Sequence, residues 1–126
     1  MNYLFLVQSD PLPGREDEYN DWYTNQHLHD VVAVPGFVSA QRFRLADYQR
    51  EGNPEPAYRY IALYEIEGPL EEALSALDEA RAVGMFVSPA MDPDRISHTF
   101  IPITKRITRD DVVRPADDGD SSQPAS

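Results

Sequence analysis

Two of the three histidines, the single tryptophan and two of the seven tyrosines fall within residues 14–43, read as GREDEYNDWYTNQHLHDVVAVPGFVSAQRF. His27 is the candidate general base or acid of the chain, because an unperturbed imidazole titrates at about pH 6.5 and can both take and return a proton. Placed near the end of a helix, it would have its protonated form favoured by the helix dipole. The alternative role for the same residue is to cap that helix or to hydrogen-bond the Pro35-Gly36 turn. Tyr23, one helical turn earlier, and Tyr64, on a later strand, are the expected hydrogen-bonding partners of a reacting oxygen. Asp30 could orient the imidazole as carboxylates do for catalytic histidines. Phe5, Trp22, His29, Gln41, Phe43 and Tyr60 are the candidate substrate-binding residues, since an aromatic pocket with a few polar groups suits an apolar, oxygenated small molecule of planar aromatic or polycyclic type.

Other chemistries find little support. His27 and His29 are two residues apart and on a helix point roughly 200° away from each other, so no metal site is expected. There is no cysteine to act as nucleophile or thiolate ligand. P-loop, GxGxxG, Gly-x-Ser-x-Gly and HExxH patterns are missing from the sequence, and no cofactor is expected. With 22 acidic against 11 basic residues the net charge is −11, which argues against nucleic acid and anionic membranes as partners. The N-terminal MNYLFLVQSD lacks a basic segment and a cleavage site, and no apolar run nears the roughly 20 residues of a membrane span. A cytoplasmic location is the expectation.

The elements that must position these residues follow from periodicity. Asn2–Gln8 alternates as a strand, and acids crowd the start of a helix over Arg15–His29. Phe37–Leu45 and Tyr58–Glu67 read as strands on either side of a polar loop. Gly68-Pro69 opens a second helix striped by Leu70, Ala73, Leu74, Leu77 and Ala80, and Ile96–Ile107 reads as the last strand, with Pro102 marking an edge or bulge. The order β-α-β-β-α-β is the ferredoxin-like plan, an α+β sandwich with a four-stranded antiparallel sheet and two helices on one face. Residues 1–108 form this domain, and the acidic, Pro- and Ser-rich segment 109–126 is expected to be disordered. Two helices leave one sheet face bare. With Tyr3, Phe5, Phe43, Tyr60 and Tyr64 assigned to it, that face calls for a second copy of the chain, a homodimer packed sheet to sheet.

The run from Pro13 to Arg44 resembles the EthD-like group of dimeric α/β-barrel proteins. The matching positions are Gly14, Glu16, Tyr19, Trp22, Tyr23, His27, Pro35, Gly36, Phe37, Arg42 and Phe43. Members often carry proline two residues after the helix histidine, where this chain has His29. The resemblance implies two ferredoxin-like protomers pairing as a dimeric α/β barrel. It also implies kinship with cofactor-independent isomerases, cyclases, monooxygenases and lyase-like enzymes. The leading expectation is a cofactor-independent enzyme moving protons on a small molecule. The alternatives are a non-catalytic dimeric binding or stress-associated module and a cofactor-free monooxygenase.

Overall fold

In the computed structural model, which describes residues 2–112, runs rich in β-branched and aromatic residues form four strands: β1 (Tyr3–Ser9), β2 (Phe37–Arg44), β3 (Tyr60–Ile66) and β4 (Ile96–Phe100). They pair antiparallel in the order β2-β3-β1-β4. The first helical rod has three parts: α1 (Glu16–Trp22), a π turn (Tyr23–His27) and α2 (Leu28–Val32). Glu16, Asp17 and Glu18 occupy its first turn, where the helix dipole favours acids. A second helix, α3 (Leu70–Ala82), buries Ala73 and Leu77. Strand order and helix placement make the fold ferredoxin-like, as periodicity indicated.

The rod passes His29 and ends at Val32, so His27 lies inside it rather than at its end. β4 stops at Phe100, short of the expected Ile107, because Pro102 has no N–H for a ladder. Residues 101–108 continue as an exposed irregular segment in which Ile103 is 91% exposed. Arg109–Asp111, assigned to the tail by composition, forms a 3₁₀ turn closed by a reciprocal Thr108–Asp111 capping box; residues 113–126 lie outside the described residues.

Cross-strand register fixes which side chains share a face, since residues directly opposite each other in a ladder point the same way. Ala40, Tyr64, Phe5 and Thr99 form one such row, and Arg42, Ala62, Val7 and Ser97 the next. These rows lie under the helices: Ala62, Tyr64 and Ile66 are buried, and Tyr3, Phe5, Val7 and Tyr60 pack against the core. The expectation that Tyr3, Phe5, Tyr60 and Tyr64 look away from the helices is therefore corrected. Of those five aromatics only Phe43 lies on the open face, in a row with Ile61, Gln8 and Ile96.

Pro35-Gly36 brings the rod back to the sheet. Gly36 has φ +96°, and a Cβ there would lie 2.7 Å from the Ala73 Cβ. Only glycine combines that left-handed backbone with so close an approach of α3.

Candidate functional site

A cavity of about 260 Å³ lies between the helices and the sheet. Its lining includes Phe5, Val7, Tyr23, His27, Val31, Tyr64, Leu77, Arg81, Val87, Met91, Arg95 and Ser97. The loop after α3 closes one side. It is anchored by Leu12 N–H donating to the Ala90 carbonyl at 2.7 Å and Asp92 N–H donating to the Asp10 carbonyl at 2.9 Å. Ser88, Ala90 and Met91 are buried there.

The π turn sets the imidazole. In a regular α-helix Trp22 and His27, five residues apart, would point roughly 140° away from each other. The wider i to i+5 turn closes that gap, and the two rings stack with centroids 4.5 Å apart. Tyr23 meets the same imidazole edge-on at 4.9 Å. Tyr64 reaches the cavity from β3 and packs against Phe5 at 6.0 Å. Three buried polar atoms here have no hydrogen-bond partner: Trp22 Nε1, His27 Nδ1 and the Tyr64 hydroxyl. A buried polar group left unpaired is disfavoured by about 1–3 kcal/mol, so the two on cavity-lining residues, His27 and Tyr64, mark a place suited to meet another polar group.

Burial, and then the Arg81 charge, lower the His27 pKa to about 4; Asp30 opposes them and Arg42 adds a little. The imidazole is thus neutral at pH 7, the reverse of what a helix-end position implied, and Asp30 makes no side-chain hydrogen bond to it. Burial raises Tyr64, with the neighbouring Tyr23 adding to the shift. Burial also raises Tyr23, offset in part by the Tyr64 hydroxyl, Arg42 and Arg81. Both phenols therefore keep their protons and can donate. The chemical division is clear: one neutral base and two neutral donors.

Arg42 supports this arrangement from outside the cavity. Its guanidinium lies over the rings of Tyr23, Tyr19 and Tyr60 at 4.5, 5.2 and 5.4 Å, and its Nη1 donates to Thr24 Oγ1 at 2.9 Å. Tyr19 is fully buried and its hydroxyl is 2.6 Å from Ser9 Oγ. Burial, opposed by that bond, raises its pKa to about 12. These contacts hold the N-terminal half of the rod to the sheet.

Of the residues singled out from sequence, His27, Tyr23, Tyr64 and Phe5 meet in the cavity. Trp22 backs the imidazole without lining the space. Tyr60 packs on Tyr19 at 5.3 Å and accepts from Asn20 Nδ2 at 3.3 Å, away from the cavity. Gln41 and Phe43 lie on the opposite sheet face and cannot be its walls. His29 is exposed and borders a shallow groove with Leu28, Val32, Ala33, Ser39 and Ala40 on the outside of the rod. His98 is exposed on β4, and among the described residues no three His, Cys, Asp or Glu side chains gather as a metal site. No helix among the described residues is long and apolar enough to cross a membrane.

Sequence reasoning missed Arg81 and Arg95. Each carried a signal. Arg81 is four residues past Leu77 and so continues the apolar stripe of α3 with a charge, and Arg95 shares strand parity with inward-facing Ser97.

The architecture defines the class as a ferredoxin-like α+β fold. Solved structures share it. The heme-degrader MhuD from Mycobacterium tuberculosis, with two hemes bound in its active site, superposes with a TM-score of 0.57 at 18% identity, covering 82% of this chain and 98% of that one. A mutant of MhuD with two manganese protoporphyrin IX bound per active site gives 0.57 and 18%, covering 84% and 99%. A dimeric ferredoxin-like protein of unknown function from Thermobifida fusca gives 0.52 and 13%, covering 79% and 90%. No protein-family model matches the chain, and no curated protein matches it. Similarity at this level shows the fold, and does not single out the EthD-like group within it.

Proposed function

We propose that this chain is a small enzyme that moves a proton between carbon atoms of a small carbonyl compound, using no cofactor, as in isomerisation or cyclisation. The observation that carries this reading is the cavity in which a neutral, half-buried His27 stands with two neutral phenols. Neutral imidazole takes a proton from the carbon next to the carbonyl, and the electron pair moves onto the carbonyl oxygen. Tyr64 and Tyr23 hydroxyls donate to that oxygen as its charge develops. The imidazolium then returns the proton to another carbon, which leaves the base as it began. Trp22, stacked on the imidazole, holds the ring in place through this cycle.

Size narrows the substrate. A cavity of about 150 Å³ holds benzene, so about 260 Å³ holds one substituted ring. This size favours single-ring over polycyclic compounds. The same volume bears on porphyrin, which two of the fold relatives carry. Sites for drug-sized ligands span roughly 300–1,000 Å³, so the space beside His27 favours a compound smaller than a tetrapyrrole.

The chain is read as working as a homodimer, the two protomers pairing into an α/β barrel of the EthD-like kind. What supports this is the open sheet face, where Leu6, Leu63, Phe43, Ile96 and Phe100 share the side away from the helices. Phe43, Ile96 and Phe100 are exposed, and Ile101, Ile103 and Ile107 continue the apolar surface beyond β4. An apolar area of this kind on a chain otherwise rich in acids calls for a partner surface of the same character.

The direct test follows carbon-bound deuterium by NMR in heavy water with a panel of single-ring ketones and keto acids. His27→Gln should slow exchange by about 10²-fold or more, as expected on losing a general base. Unchanged exchange in that variant would end the assignment. Tight binding with no exchange by the unaltered chain would favour a binding module, and oxygen uptake coupled to substrate loss would favour a monooxygenase.

A further inference from the structure

Proton transfer engages His27, Tyr23 and Tyr64 and leaves two cavity residues without a task. Arg81, in the last turn of α3, and Arg95, just ahead of β4, both line the space. Neither has an ion pair or a side-chain hydrogen bond to any described residue, whereas Arg15 pairs with Glu18 and Lys105 with Asp111. Most other described bases are unpaired as well; what sets these two apart is that both line the cavity that holds His27. Much of the remaining wall is apolar: Phe5, Val7, Val31, Leu77, Val87 and Met91.

A cavity that combines apolar side chains with two guanidinium groups has the chemistry of a carboxylate receptor. The planar fork of arginine matches the two oxygens of a carboxylate and binds them with charge-assisted hydrogen bonds. The apolar wall favours a hydrocarbon body over a second charged or strongly hydrated group. Arg81 and His27 line the same cavity, so an anion held by Arg81 shares that space with the base.

We propose that the cavity binds a small, single-ring carboxylic acid, its carboxylate held by Arg81 and Arg95 and its apolar body against Phe5, Val31 and Leu77. This names the substrate class of the proton-transfer site and rests on that reading only for where the reacting carbon lies.

Phenylacetate is the probe, with phenylacetamide as its uncharged counterpart, each titrated into the full chain at low salt and followed by NMR shifts. Phenylacetate should bind at least about tenfold more tightly than the amide. Arg81→Gln and Arg95→Gln should each weaken the acid by about tenfold and leave the amide unchanged, and Arg81→Lys should recover part of the loss. Circular dichroism confirms that each variant is folded. His27→Gln should bind phenylacetate within about threefold of the unaltered chain while losing exchange chemistry. Equal binding of acid and amide, no binding of the acid at about 10 mM, or arginine variants that bind it normally would overturn the proposal and leave the role of His27 standing. Normal exchange in His27→Gln with the acid preference intact would do the opposite.

Discussion

Acid stability tests His27 without any substrate. The folded chain holds its imidazole at a pKa of about 4, through burial first and the Arg81 charge second; in the unfolded chain the value is about 6.5. Below the unfolded value the unfolded chain binds a proton that the folded chain refuses until about pH 4. The unfolded state therefore gains, and stability that is fully present above about pH 6.5 is lost as pH falls toward the folded value. Between about pH 7 and pH 5 the loss works out to about 2 kcal/mol, or roughly 5–10 °C in Tm for a domain of this size. Most carboxylates remain ionised over that window, and a variant keeps them in any case. Thermal melts of the unaltered chain and of His27→Gln, taken in steps across the window, isolate the term because His29 and His98 are common to both. The unaltered chain should lose about 2 kcal/mol more than the variant. Parallel curves would show that burial does not displace the proton. If the unaltered chain instead gained on the variant as pH fell, the helix dipole would dominate, and the neutral base of the proposed chemistry would be lost with it.

Two further outcomes probe the scaffold. Gly36→Ala should destabilise by about 2–5 kcal/mol, adding a left-handed backbone penalty to a contact with Ala73 that has no room. Gly68→Ala should cost only the backbone part, about 1–2 kcal/mol, because a Cβ there meets nothing within 4 Å; chemical denaturation of the two side by side separates the terms. Leu63→Arg, on the open sheet face, should convert a dimer to monomer in sedimentation equilibrium, and a dimer that survives it would move the interface elsewhere.

Element order and the apolar stripe of α3 were legible because a strand repeats every two residues and a helix every 3.6 or so. The face assignment was not, although the information was there. In β3 one parity holds Tyr60, Ala62, Tyr64 and Ile66 and the other holds Ile61, Leu63 and Glu65. Both sets are apolar enough to be buried, and tyrosines suggest an open pocket. Glu65 decides it: a carboxylate under two helices would lose its hydration, so its parity must face outward, where it accepts from Asn2 and Ser39. Tyr64 follows to the inside by alternation, and with it the whole cavity moves from the bare face to the helix side.

The same rule fails one strand away. Applied to β2, it would send Arg42 outward with Glu65, yet register places Arg42 opposite Ala62, on the helix side. What reverses the rule is a set of partners from other elements: rings of Tyr19, Tyr23 and Tyr60 around the guanidinium and Thr24 accepting from it. A charge can lie under a helix when aromatic faces replace its water, and no spacing within β2 announces them. The cavity arginines were hidden by the same logic, since Arg81 on an apolar stripe reads as a helix-end cation until the sheet beneath it is known. Sequence periodicity thus tells which side chains travel together, while the fate of each charge depends on what the opposing element presents. In this fold burial first, and then the charge of Arg81, displace the proton from the histidine that lines the cavity.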